Sequence, residues 1–344
     1  MGNTKAVHLV LLCLSSFVAV LVIMPSIPKP NSIQAPSVAI APLEAIEPNV
    51  GPQPAPLYVP VYLSRQKKIE SMPLEQYVRG VLAAEMPIEF ELEALKAQAM
   101  AARTYIIRKE VEQDFSNVPV SGAWVTDTIA HQAYTSEADL KARWGERYAS
   151  NSDKLNQAIA QTEGVILTYE QKPIQANFFS TSNGFTENSE DYWSAYIPYL
   201  RSVPSPWDIQ LSPRYKDTVT FSTADLQSKL GISKAVPASG RGSLLQVVER
   251  SQGHRIKQIR IEGKLYSGRE IREKLGLNSS QFQWSWKGDR LEVTTFGYGH
   301  GVGMSQWGAQ GMALEGYKAD QIVQYFYTGI ELSEASSLVK GNNL

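Results

Sequence analysis

An apolar run without a single acid, lysine or arginine occupies residues 6–24, "AVHLVLLCLSSFVAVLVIM", and sets this part of the chain apart from any globular core. Its 19 residues are close to the length a helix needs to span a bilayer. Lys5 precedes it, which favours a cytoplasmic N-terminus. A cleaved signal peptide would have a shorter apolar core with a small-residue site close behind. Here the nearest such site, "SVAIA" at 37–41, lies more than ten residues beyond the run. An uncleaved signal-anchor is therefore expected. Residues 25–56 hold nine of the chain's 19 prolines, a composition that favours an extended spacer over a packed core. At about 3.1 Å per residue it could reach roughly 100 Å from a membrane. The expected organisation is a cytoplasmic tail (1–5), a transmembrane helix (6–24), a proline-rich linker (25–56) and a folded domain (57–335) outside the cytoplasm.

Two whole-chain numbers exclude function classes. The formal net charge is -1, so no basic excess exists to neutralise phosphates, and nucleic acid is not an expected partner. The single cysteine, Cys13, lies in the apolar run, which leaves no internal disulfide and no cysteine-based zinc site. His131, His254 and His300 are far apart and form no H-E-x-x-H pattern, so no metal and no cofactor is expected.

Within the folded part, "YVPVYLSRQKKIESM" (58–72) alternates like strands. "PLEQYVRGVLAAEMP" (73–87) and "ELEALKAQAMAARTYIIRKEV" (91–111) read as helices, the second rich in strong helix formers. Residues 112–150 look polar and irregular. "KLNQAIAQTEG" (154–164) reads as a helix ending at a glycine, and 165–184 as two strands around a turn at Glu170–Pro173. Short strands and helices alternate over 218–293, and a late helix covers 304–318. The class is α+β.

The chemistry centres on "GVLAAEMP" (80–87). Glu85 follows Val78, Val81 and Leu82 by seven, four and three residues, so it lies on the apolar stripe of its helix; Glu75 does not. Pro87 puts Glu85 in the last turn, near the negative end of the helix dipole. Burial and dipole both raise a carboxyl pKa, which suits a general acid. A salt bridge to a buried cation explains the same position and stays open. On the second helix Lys96 and Arg103 are seven apart on one face, either solvated or aimed at an anionic substrate. "FFSTSNGFTENSEDYW" (178–193) opens into small hydroxyls, Asn and Gly, as a turn or a ligand loop. In "FGYGHGVGMSQWGAQGMALEGY" (296–317) the glycines at 297, 299, 301 and 303 fit neither G-x-G-x-x-G nor a P-loop. They suit positive backbone angles, and Gly308 and Gly311 suit tight helix packing. No serine or cysteine nucleophile pattern is present.

These segments, with "SPWD" (205–208), resemble the stage II sporulation protein D family of endospore-forming bacteria over about residues 58–330 and the anchor. The resemblance implies two lobes around a substrate groove, and a membrane-anchored lytic transglycosylase. Such enzymes cut peptidoglycan glycan strands, preferably peptide-stripped ones, to 1,6-anhydro-MurNAc ends during engulfment. It makes Glu85 the catalytic residue. It implies substrate contacts from Lys96, Gln98, Arg103 and Tyr105, from Ser180, Ser182, Asn183, Gly184 and Glu187, and from His300, Gly301 and Gln306. Lys96 and Arg103 are then expected to hold lactyl carboxylates. Stage II sporulation proteins M and P are the implied partners, and the sporulation septum or engulfing membrane the implied location. The zinc site of some clostridial relatives does not carry over, since no cysteine lies near His131. Two rivals remain: a glycan-binding activator of a cell-wall amidase that does not cut, and a muramidase using water with Glu187 or Asp191 as second carboxylate.

Overall fold

β1 (Tyr58–Leu63) buries every second residue, Val59, Val61 and Leu63, and pairs antiparallel with β2 (Lys68–Pro73). These strands open a computed structural model that describes residues 57–232 and 244–338. The expected tail, anchor and linker lie outside the described residues. Among the described residues no helix is long and apolar enough to cross a membrane. All of them belong to one compact unit, Pro52–Leu344, with the mixed helices and strands of the α+β class.

Pro73 ends β2 and leads directly into α1 (Leu74–Glu85), whose buried face is Tyr77, Val78, Val81 and Leu82. Pro87 cannot continue the helix, and Met86 leaves it in an extended conformation. α2 (Leu92–Glu112) is the centre of the larger core. Ala94, Ala97, Ala99, Ala101 and Ala102 are all buried and let α1, the strand Val165–Tyr169 and two C-terminal helices, Gln306–Leu314 and Ala319–Phe326, approach it closely. A helix covered on all sides has no solvent stripe, and its polar residues must find partners inside.

α3 (Glu137–Trp144) and the start of α4 (Tyr148–Ala160) occupy a stretch expected to be irregular. Ser136 explains the difference: its hydroxyl accepts from the Asp139 amide and caps α3, although α3 itself buries only Leu140 and Trp144. Val165–Tyr169 and Lys172–Pro173 form the expected hairpin, with Glu170 and Gln171 at φ 49° and 61° in its turn. The late helix is shorter than expected, and Ala319–Phe326 follows it as a separate helix.

Strands and helices do alternate from 216 to 296. They build a second, smaller core around Phe221, Ile259, Ile271, Phe282 and Leu291. Capping boxes at Ser222/Asp225 and Ser267/Glu270 start its helices Thr223–Leu230 and Gly268–Leu275.

The glycine-rich segment returns to the larger core. Met304–Ser305 pairs in parallel with Phe178–Phe179. Gly303 has φ +81°, and a Cβ there would sit 2.1 Å from the Asn177 carbonyl oxygen, so only glycine allows this pairing. Gly297, Gly299 and Gly301 also have positive φ, as the spacing suggests.

Candidate active site

Where α1 ends, a cleft of about 880 Å³ opens. One stretch of its lining is the chain from Ala83 to Phe90. Other parts come from the loop through Ile129 and Ala133, from Arg143–Arg147, from Phe178–Ser180, and from Arg214, Arg272, Tyr298–His300 and Gln306–Trp307. Arg272 belongs to a helix that packs its Ile271 and Leu275 into the smaller core. Residues of both cores therefore border the cleft.

Glu85 lies in this lining, half-buried. Its Oε1 accepts one hydrogen bond, from the Ala133 amide at 3.0 Å. Burial pushes its carboxyl pKa up, and the Ala133 amide only partly offsets this. No cation lies within salt-bridge distance of it among the described residues. The buried cation of the neighbouring helix is already taken. Arg103, at 0% exposure, holds Glu75 with two bonds of 2.8 and 2.5 Å and donates a third to the Val165 carbonyl. Of the two glutamates on α1, Glu75 is thus the ion-pair partner, and Glu85 has no cation partner among the described residues.

The donor at Ala133 depends on Gly80. A Cβ at position 80 would fall 2.1 Å from the Tyr134 ring, so glycine alone lets that ring lie against α1. Tyr77 stacks on Tyr134 at 6.1 Å and donates to Gln132, and the Gly80 carbonyl accepts from the Thr135 amide. These contacts fix the loop that presents the Ala133 amide. On the other side, the helix Gln306–Leu314 grips the segment after Glu85. Gln306 donates to the Glu85 carbonyl at 3.1 Å, and Gln310 accepts from the Glu91 amide at 2.7 Å. Trp307 meets Phe90 edge to face at 4.7 Å.

Of the expected contacts, Ser180, His300 and Gln306 line the cleft with Glu85. His300 is neutral. Burial and the charges of Arg272 and Arg255 hold its imidazole at about 3, and Nδ1 accepts from the Val302 amide. Its ring packs among Phe179, Tyr192 and Trp193.

The other expected contacts lie elsewhere. Lys96 is tied to Glu93 at 3.0 Å, Gln98 is fully buried, and Tyr105 packs against the larger core. All three, like Arg103, sit on α2, and none of them lines the cleft. Ser182 is buried and gives its amide to Asp208, whose carboxylate also takes the hydroxyls of Ser205 and Ser305. Asn183 donates to the Gly253 carbonyl, and Gly184 accepts from the Ser205 amide. Glu187, 2% exposed, takes the Ser251 hydroxyl and the Gly253 amide, with Arg255 at 3.9 Å. Gly301 lies against the Arg255 guanidinium. This loop braces the cleft from below. Asp191 pairs with Lys257 and lines a different hollow.

Several lining residues were missed. Arg143 stacks on Trp144 at 5.3 Å and donates to the Ala83 carbonyl, and Arg214 stacks on Tyr298 at 5.0 Å. Arg272 donates to the Tyr192 hydroxyl. Ile129 stands 94% exposed at the cleft mouth. "RWGER" (143–147), a tryptophan between arginines, was the legible signal for one group. Among the described residues no cluster of three or more potential metal ligands occurs.

Comparison with known proteins follows the same segments. A family model described as stage II sporulation protein matches residues 62–169. The chain is 50% identical over 285 residues to stage II sporulation protein D of Bacillus amyloliquefaciens, covering 83% of this chain and 81% of that one. It is 49% identical to the protein of that name from Bacillus subtilis (strain 168), with the same coverage. It is 29% identical over 305 residues to the amidase enhancer of Bacillus subtilis (strain 168), covering 74% of this chain and 40% of that one.

Proposed function

The chain belongs to the stage II sporulation protein D family, and from this premise we propose that it is a membrane-anchored peptidoglycan lytic transglycosylase acting in septal remodelling and engulfment. The observation that carries the reading is Glu85: a half-buried carboxyl in the cleft at the end of α1, with a raised pKa and no cation partner among the described residues. A carboxyl whose pKa is raised holds its proton to higher pH and can give it to the oxygen of a MurNAc–GlcNAc bond. As that bond breaks, Glu85 becomes the base and takes the proton of the muramic acid 6-hydroxyl. The 6-oxygen then bonds to C1 of the same sugar. The products are a 1,6-anhydro end and a free GlcNAc hydroxyl, and no water is consumed. Because the nucleophile belongs to the substrate, proximity replaces a second catalytic carboxylate. Glu187 and Asp191 are poor candidates for that second role, since each is held by its own partners away from the cleft. Glu89, exposed, is the other carboxylate on the lining.

The 29% relation to an amidase enhancer favours a second reading, a domain that presents glycan without cutting it. Mass spectrometry of products from purified peptide-stripped glycan separates the possibilities. Anhydro ends are expected. Reducing ends would establish a muramidase with Glu89 as its second carboxylate, and uncut strands would leave the binding module.

Residues 6–24 are proposed as the single-pass anchor, with the linker 25–56 carrying the domain into the wall, and stage II sporulation proteins M and P as partners. Full-length protein is expected to stay with membranes through a high-salt wash. A soluble mature form starting near residue 40 would show a cleaved leader instead.

A further inference from the structure

The ion pairs of the described residues lie away from the cleft. Arg79, Lys96, Arg103, Arg201, Lys257 and Arg269 each hold a carboxylate within 3.1 Å. The four arginines lining the cleft differ. Arg143, Arg147, Arg214 and Arg272 make no salt bridge among the described residues, although Glu85 and Glu89 share the same lining. Two of them lie over aromatic rings that also line it, Trp144 and Tyr298. A guanidinium over an aromatic face can still present donors at its edge. Arg143 gives one to the Ala83 carbonyl and Arg272 one to the Tyr192 hydroxyl, which leaves further N–H groups on each. The cleft lining thus carries four arginines without a carboxylate partner among the described residues and, in Glu85, a carboxyl that burial favours in its neutral form.

We propose that Arg143, Arg147, Arg214 and Arg272 select acidic glycan by binding the free carboxylates spaced along a strand, taking the role that Lys96 and Arg103 cannot fill from inside the core. A guanidinium fork matches a carboxylate with two charge-assisted hydrogen bonds. Where a sugar carboxyl is amide-linked to a peptide, the charge is gone and the fork has no counterpart. Preference for stripped strands then follows from charge recognition, beside any steric exclusion of the peptide. The inference rests on the proposed glycan substrate but not on its cutting.

The test uses full-length protein in detergent carrying Glu85→Gln, so that binding is read without turnover. Three probes are compared: stripped glycan, the same glycan with its carboxyls converted to neutral methylamides, and chitin oligomers. Stripped glycan is expected to bind about tenfold or more tightly than the methylamide form, with a preference that high salt erodes. Adding Arg147→Gln and Arg214→Gln, both exposed positions, should reduce that preference several-fold, with a smaller effect on chitin binding. Equal affinity for charged and neutral strands would overturn the inference, and so would a preference left undiminished by loss of both arginines. Charge preference in a protein whose Glu85-intact form releases no anhydro product would sustain the inference and refute the cutting reading. Anhydro product with no charge preference would do the reverse.

Discussion

Glu85→Gln is expected to lower strand cutting by roughly 10²–10⁴-fold, the usual loss on removing a general acid–base group, while the protein still folds and binds glycan. The amide preserves shape and can still accept from the Ala133 amide, but it cannot give and reclaim a proton. The stability effect has a definite sign. Burial raises the folded carboxyl pKa above its unfolded value, so the native state holds this proton more tightly. The associated stability is present in full below the unfolded pKa and is lost as pH rises through the raised folded value. Glutamine cannot ionise, so the variant should lose this pH dependence and melt at or above the wild-type temperature at neutral pH. Wild-type cutting should fall over the same rise in pH, as the acid form disappears. A digestion and a melting curve on one preparation decide the matter. A destabilised variant that cuts normally would place the acid elsewhere.

Arg103→Ala should have the opposite profile. It removes a fully buried guanidinium and leaves Glu75 without its cation and the Val165 carbonyl without its donor. Breaking such a pair costs about 3–5 kcal/mol. Urea unfolding should show the unfolding free energy lowered by that amount, with an earlier midpoint, and glycan affinity of the remaining folded protein should match wild type. A stable variant that binds glycan weakly would restore Arg103 to the substrate.

The contrast between these two residues marks what the sequence made legible. α1, its apolar stripe, its stop at Pro87 and the position of Glu85 on that stripe were all readable from spacing. So were the hairpin before residue 173, the α+β alternation after 216 and the positive φ values of the glycine-rich segment. α2 was readable as a helix but not as an interior one. Its alanines gave the clue, because small residues on every side let neighbours surround a helix, and Arg103 was misread for want of that inference. The cleft arginines were hidden for another reason. Arg143, Arg214 and Arg272 are far apart in sequence and meet only through folding, while Ser136, three residues before Asp139, was an overlooked sign that the supposedly irregular stretch contained a helix.

The grip of Gln306 and Gln310 on Glu85 and Glu91 also sets an order of events. The partners in these contacts are 221 and 219 residues apart. During synthesis the segment bearing the acid emerges long before the helix that holds it. A chain still being made, or one clipped ahead of residue 306, has Glu85 but lacks the brace that shapes its surroundings. A chain cleaved ahead of residue 306 is therefore expected to keep Glu85 and lose the two contacts that hold its segment.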